Sequence, residues 1–188
     1  MHPTLRYALS STAPSGAART ELATLYPEID DRWNQKIERA RCVVTVRASG
    51  VLVAAGLVHD SVLAPTSSMG ALELGCMAVR PEYRRQGIRQ QVTDLRLEFV
   101  VRAGCIPITV IDSANPSSWA AYERSELWER ERAFELDGRT KYIYRATALA
   151  SDWLPHLPQC DFASNTQTSH LALPLQSPRH SQHVHLAG

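Results

Sequence analysis

Cysteine is scarce in this chain and never paired: Cys42, Cys76, Cys105 and Cys160 stand far apart, and no Cys-x-x-Cys occurs. That excludes a disulfide framework and a thiolate metal knuckle. Thiols set in apolar runs are instead expected to be buried in a reducing compartment. An excess of either charge is also lacking. There are 20 basic and 19 acidic residues, a net charge of +1, so no global field draws the chain to nucleic acid or an anionic membrane surface. Long hydrophobic runs are absent, the longest, Val51 to Val58, being far shorter than a bilayer span. The opening Met-His-Pro-Thr-Leu-Arg-Tyr carries neither the charged nor the apolar region of a signal peptide. A cytoplasmic protein is expected, with neither nucleic acid nor membrane among its partners.

What is present is enough apolar material for one core, 44% of 188 residues. The stretch from Leu72 to Gln90 organises it. Leu72, Leu74, Cys76, Ala78 and Val79 form an apolar strand, Pro81 ends its ladder, and Ile88, Val92, Leu95 and Phe99 recur on one helical face. Between them lies a basic loop, Arg84-Arg85-Gln86-Gly87-Ile88-Arg89-Gln90. A helix start leaves its first N–H groups without intrahelical acceptors and carries the positive end of the dipole, so an anion is expected there. The loop has neither a Gly-Lys-Ser/Thr ending nor three spaced glycines, which rejects the P-loop and the dinucleotide fingerprint.

The remaining pattern reads strand, helix, helix, hairpin, strand, helix, strand, helix, hairpin. A first strand is expected over Leu5 to Ser10. Ala18, Leu22, Leu25 and Tyr26 share one helical face, and Ile29, Trp33 and Ile37 another. Ser49-Gly50 turns one hairpin and Asp137-Gly138 the other. Gly104 stops the long helix, Cys105 to Ile111 is a buried strand limited on one side by Pro107, and Asn115-Pro116 starts a short helix as N-cap and first residue. The fold class expected is α/β, a mixed central sheet flanked by helices. Residues 1–148 form the domain, and residues 149–188, poor in charge and without helix or strand period, a mostly disordered, irregular C-terminal tail. In that tail Trp153, Leu154 and Leu157 are candidates for local docking on the domain. His180, His183 and His185 there are read as solvated residues, and no metal is expected.

Arg84-x-x-Gly87-x-Arg89, following Val79-Arg80-Pro81-Glu82-Tyr83, resembles the acyl-CoA pyrophosphate loop of the GNAT superfamily of N-acetyltransferases, with Arg89 where that family usually has Gly or Ala. Asn115-Pro-Ser-Ser-Trp-Ala-Ala-Tyr122 resembles the family's second motif, although Glu126-Leu127 stands where Gly-Phe usually follows. The likeness covers roughly residues 41 to 145. It implies a GNAT-like fold with acetyl-CoA as co-substrate and an amine as acceptor, in direct transfer. It further implies that the amides of Arg84, Arg85, Gln86, Gly87, Ile88, Arg89 and Gln90 hold the pyrophosphate. The pantetheine arm would lie along Met77, Ala78 and Val79 and touch Asn115, with a strand bulge freeing the amide of Ala78 or Met77 toward the thioester carbonyl. Tyr122 would give its proton to the departing thiolate.

For the amine proton the resemblance points to Glu73, whose other reading is a surface residue paired with an arginine. His59, Asp60 and Asp112 are alternative bases, and an ordered water chain is another route. Glu28, Asp30 and Asp31 beside Tyr26 and Trp33 form an acidic and aromatic cluster that suits a cationic amine or is simply a solvated helix face. The rival function is a GNAT-like module that binds acyl-CoA without catalysis, for which Arg89 and the missing Gly-Phe speak. A homodimer is left open.

Overall fold

A computed structural model of the chain describes residues 4–62, 70–147 and 169–172. Its elements in order are β1 (Leu5–Ser10), α1 (Gly16–Ala23), α2 (Asp31–Glu38), β2 (Ala40–Ala48), β3 (Val51–His59), β4 (Ala71–Val79), α3 (Ile88–Arg102), β5 (Ile106–Asp112), α4 (Pro116–Glu123), β6 (Trp128–Leu136), β7 (Arg139–Ala146) and β8 (Ser169–Ala172). The strands form one mixed sheet in the order β6-β7-β5-β4-β3-β2-β1-β8. Only β4 and β5 run parallel, and every other neighbouring pair is antiparallel. This is the mixed α/β sheet expected, and helices cover both of its faces.

Local chemistry explains most boundaries. Ser49 and Gly50, with φ of 49° and 84°, and Asp137 and Gly138, with 51° and 69°, put two successive residues in the left-handed region. Such turns match the right-handed twist of the strands they join. The Asp30 carboxylate accepts from the Trp33 amide at 2.7 Å and starts α2, and Asn115 does the same for α4 through Ser118 at 3.2 Å. At the end of α3 the amides of Gly104 and Cys105 fold back onto the carbonyls of Val101 and Val100. Pairing of β5 with β7 begins at Ile108, immediately after Pro107. Helix α1 stops at Ala23, so Leu25 and Tyr26 lie beyond it rather than on its face.

Two apolar clusters fill the two faces. Val92, Leu95, Leu97 and Val100 of α3 pack with Val44, Val46, Val53, Val58, Leu72 and Leu74. On the opposite face Leu22 of α1 and Trp33 and Ile37 of α2 pack with Val43, Leu52, Ala55 and Leu57. Cys42 is buried as expected, whereas Cys76, in β4, and Cys105, immediately before β5, are only half-buried. Ser169–Ala172 pairs antiparallel with β1 over Arg6–Leu9, so this piece of the C-terminal stretch is an edge strand. Trp153 to Leu157 and His180, His183 and His185 lie outside the described residues. Among the described residues no helix is long and apolar enough to cross a membrane.

Leu22 is 2% exposed and anchors α1. Truncating it to alanine should cost about 2–5 kcal/mol of unfolding free energy, as buried leucines do. The exposed Ile29→Ala should cost less than about 0.5 kcal/mol. Urea denaturation of the two variants checks the contrast.

Candidate active site

β4 breaks the regularity of the sheet twice. Against β3 its register runs from Leu57↔Gly75 to Ala55↔Ala78, so Cys76 and Met77 together oppose Gly56. That is a bulge, and Cys76 takes a φ of 48° in it. The extra residue inverts the alternation: Leu72 and Leu74 face α3, Cys76 packs toward α1 and α2, and Met77 and Val79 return to the α3 side. Against β5, β4 pairs only over Ala71–Glu73, and a single side-chain bond from Thr109 Oγ1 to the Leu74 carbonyl, 2.9 Å, follows. Beyond that point the two strands part.

The parting opens a cavity of about 820 Å³. Met77, Ala78 and Val79 form one wall, and Arg84, Arg85, Gly87, Ile88, Arg89 and Gln90 its end. Ser117, Ser118, Ala121 and Tyr122 of α4 form the other wall, and Leu25, Tyr26 and Pro27 close it from the α1–α2 connection. The Arg80 amide donates to the Val53 carbonyl at 2.8 Å. Strand alternation then directs the Ala78 amide to β3 as well, and the amides of Met77 and Val79 to the edge that β5 has left.

At the loop, Arg85 and Gly87 take φ of 62° and 76°, and Gly87 caps α3 without a side-chain bond. Nothing would lie within 4 Å of a Cβ on Gly87, so the glycine answers to its left-handed angle and not to crowding. Successive amides in such a loop form a concave anion site at the positive end of α3. The arginine side chains are partly committed: Arg84 Nε donates to the Val79 carbonyl at 3.2 Å, and Arg89 Nη1 to the Ser117 carbonyl at 3.4 Å, across the cleft. Gln86 donates to the Glu82 carbonyl and is not among the lining residues.

Tyr122 is 9% exposed, and aromatic neighbours hold its ring, Tyr144 stacked at 5.5 Å and Trp128 edge-on at 5.0 Å. Asn115 caps α4 and does not line the cavity, whereas its neighbours Ser117 and Ser118 do. The acidic cluster is not brought to the cavity either. Asp30 is used as a cap, Glu28 and Asp31 are exposed, and Trp33 is buried beside Tyr26 at 5.7 Å.

Glu73 is fully buried and is not a surface residue paired with an arginine. Its Oε1 lies 3.3 Å from Lys36 Nζ and 3.7 Å from His59 Nε2, and its Oε2 accepts from Ser61 Oγ at 2.6 Å. It is outside the cavity's lining. His59 Nδ1 lies 2.9 Å from the Asp60 carbonyl, which can only accept, so Nδ1 carries the hydrogen and Nε2 is a bare lone pair. Burial pushes this imidazole below its ordinary range, against the pull of the Glu73 carboxylate and with the help of the Lys36 ammonium. Asp60 pairs with Arg41, and Asp112 with Lys141 and Arg139. Among the described residues no three His, Cys, Asp or Glu side chains converge on a metal-sized site.

One buried residue here was not legible as a site residue: Arg96, 1% exposed, lies on α3 beneath the bulge. The half-buried Tyr26, expected in an aromatic cluster for a cationic amine, donates its hydroxyl to the Cys76 carbonyl at 2.5 Å. The one signal in the sequence for Arg96 is its place on the apolar stripe, four residues after Val92.

Residues 7–126 match the model of the acetyltransferase (GNAT) family. Solved structures with a similar fold include the ribosomal-protein-S18-alanine N-acetyltransferase from Escherichia coli, 14% identical with TM-score 0.56, the match covering 74% of this chain and 92% of that one. A GNAT family acetyltransferase from Elizabethkingia anophelis with acetyl-CoA bound is 10% identical with TM-score 0.53, covering 74% and 97%. Arabidopsis thaliana Naa50 in complex with the bisubstrate analogue CoA-Ac-MVNAL is 14% identical with TM-score 0.55, covering 75% and 98%. No curated protein sequence matches the chain.

A histidine held below its unfolded value near 6.5 binds fewer protons folded than unfolded. Its contribution is complete above pH of about 6.5 and is lost as pH falls below it. In His59→Asn the amide keeps the bond to Asp60 but does not titrate. The stability advantage of wild type over this variant should therefore shrink between pH 7.5 and 5, and a pH-independent difference in denaturation midpoints would contradict the assignment.

Proposed function

Since the chain belongs to the acetyltransferase (GNAT) family, we propose that it transfers the acetyl group of acetyl-CoA directly to a primary amine. The observation that carries this reading is the junction of the parted β4 and β5 with the left-handed loop before α3. The parted strands offer unpaired β4 amides to an extended, amide-containing arm, which docks as an added strand would. The loop offers amides and a helix dipole to a diphosphate. The two lie end to end in one cavity, as a pantetheine joined to a pyrophosphate requires.

The chain's own groups then divide the work. The loop from Arg84 to Gln90 holds the pyrophosphate, with Arg84, Arg85 and Arg89 supplying charge. The Met77 amide, freed by the bulge, faces the acyl carbonyl, where a donor stabilises negative charge developing on oxygen. Tyr122 carries a proton on a ring that its aromatic neighbours keep in one place, and gives it to the sulfur as the C–S bond breaks. The acceptor must be a neutral amine, whose unperturbed pKa is about 10.4 for a lysine-like group, so its proton needs a route out. Glu73 is our candidate for the end of that route. Because it does not line the cavity, it acts through an intervening water and not by direct contact. Lys36 and Ser61 keep its carboxylate oriented. Asn115 acts through the cap that places Ser117 and Ser118. Arg89 favours a second reading, a module that binds acyl-CoA without transfer, because its side chain spans the cleft to Ser117.

Calorimetry with acetyl-CoA and a thiol-release screen against a panel of amines separate the readings. Gly87→Glu should abolish acetyl-CoA binding, since it adds a carboxylate to the anion site at a residue with φ of 76°. Tyr122→Phe should retain binding and lower turnover by roughly 10²–10⁴. Unchanged affinity in folded Gly87→Glu would remove the loop assignment, and binding with no thiol release for any amine would favour the second reading.

A further inference from the structure

Among the described residues Arg96 is the largest side chain buried completely, and no carboxylate lies within ion-pair distance of it. A buried guanidinium without a counter-ion is costly unless its donors are met. Here four of its five N–H groups have acceptors, two of them carbonyls at the bulge. Nη1 donates to the Gly75 carbonyl at 3.0 Å and to the Leu57 carbonyl at 3.2 Å, the pair of residues where the register shifts. Nη2 donates to Thr93 Oγ1 at 3.2 Å, and Nε to the Val92 carbonyl at 3.1 Å. The residue opposite the bulge, Gly56, makes room: a Cβ there would sit 2.9 Å from Arg96 Cζ. On the other face of the sheet the Tyr26 hydroxyl donates to the next carbonyl, that of Cys76, at 2.5 Å. Two consecutive carbonyls of β4 are thus gripped from opposite faces.

The consequence follows from peptide planarity. The carbonyl of Cys76 and the N–H of Met77 belong to one rigid trans unit, so fixing the oxygen fixes the direction of the hydrogen. The preceding unit, Gly75–Cys76, is fixed by Arg96 in the same way. We propose that Arg96 and Tyr26 are positioning residues that hold the β4 bulge from its two faces and thereby aim the Met77 amide into the cavity at the acyl carbonyl. The proposal rests on the acetyl-CoA reading above for the identity of the carbonyl. The clamp itself does not depend on it.

Two measurements on the full chain test it, with Tyr26→Phe and Arg96→Met. The first needs no ligand. Hydrogen exchange in the free protein should quicken at Ala78, whose amide is directed to β3 beside the bulge, by at least about tenfold in either variant, while Val100 in the α3 core keeps its wild-type protection. The second uses acetyl-CoA labelled with carbon-13 at the thioester carbonyl. Its infrared stretch should move to lower frequency on binding wild type, and back toward the free value in the variants, with affinity changed less than about threefold, since the loop is untouched. Wild-type exchange at Ala78 in folded variants, exchange that quickens throughout the sheet, or a bound carbonyl stretch identical to wild type would each overturn the proposal. Should Arg96→Met fail to fold, Tyr26→Phe, which removes one hydroxyl, decides alone. Failure of wild type to bind acetyl-CoA would refute the proposed function and leave the exchange result to judge the clamp.

Discussion

A strand in the middle of a sheet normally pairs every amide and carbonyl with its two neighbours, but β4 pairs with β5 only over Ala71–Glu73. Everything the cavity offers depends on that interruption. The extra residue at Cys76–Met77 turns the strand's alternation over, and the parting from β5 leaves an edge that faces the cavity and not another strand. Unpaired donors in a buried setting cost free energy unless something completes them. The interruption is therefore stable only because side chains from both faces take up the carbonyls and because the open edge adjoins a cavity wide enough for a ligand.

The same economy of partners governs the buried charges. Glu73 shares its two oxygens among Lys36, Ser61 and the neighbourhood of His59, and Arg96 is met by carbonyls and one hydroxyl. Space for them is made by missing side chains. A Cβ on Gly75 would lie 2.3 Å from His59 Nε2, and one on Gly56 would meet Arg96, so two β-strand positions without side chains are the complement of two large polar groups. Removing one member of either set would strand the other, which makes these positions far less tolerant than their distance from the cavity mouth implies.

Tyr122 and Glu73 illustrate how differently two proposed site residues can be supported. The tyrosine sits in the cavity wall in an aromatic cluster, so its orientation is decided by packing. The glutamate sits behind the wall, oriented by hydrogen bonds on the α2 side of the sheet. On the function proposed above, a proton leaving an amine in the cavity would reach it only through an intervening water. Leu25, Tyr26 and Pro27 are the residues of the α1–α2 connection that border the cavity.

Much of this was readable in the chain. The order of elements, both hairpin turns, the Asn115 cap and the loop before α3 follow from short-range rules: two left-handed residues make a tight turn, an Asn before Pro starts a helix, and a helix start attracts an anion. The resemblance carried by Arg84, Gly87, Asn115 and Tyr122 pointed to a family that the match over residues 7–126 bears out. What the chain could not reveal was decided across distances in sequence. Strict alternation through Leu72, Leu74 and Cys76 hides a bulge, because a bulge is created by the register of β3 against β4 and leaves no periodic trace. Arg96 looks like one charge on an apolar stripe until α3 is laid over Gly56, 40 positions earlier in the sequence. Lys36 became the partner of Glu73 only when α2 packed on the sheet. Local conformation is set by neighbours in the chain, but the pairing of a buried charge is set by whichever elements the core brings together, and only the tertiary structure makes that choice.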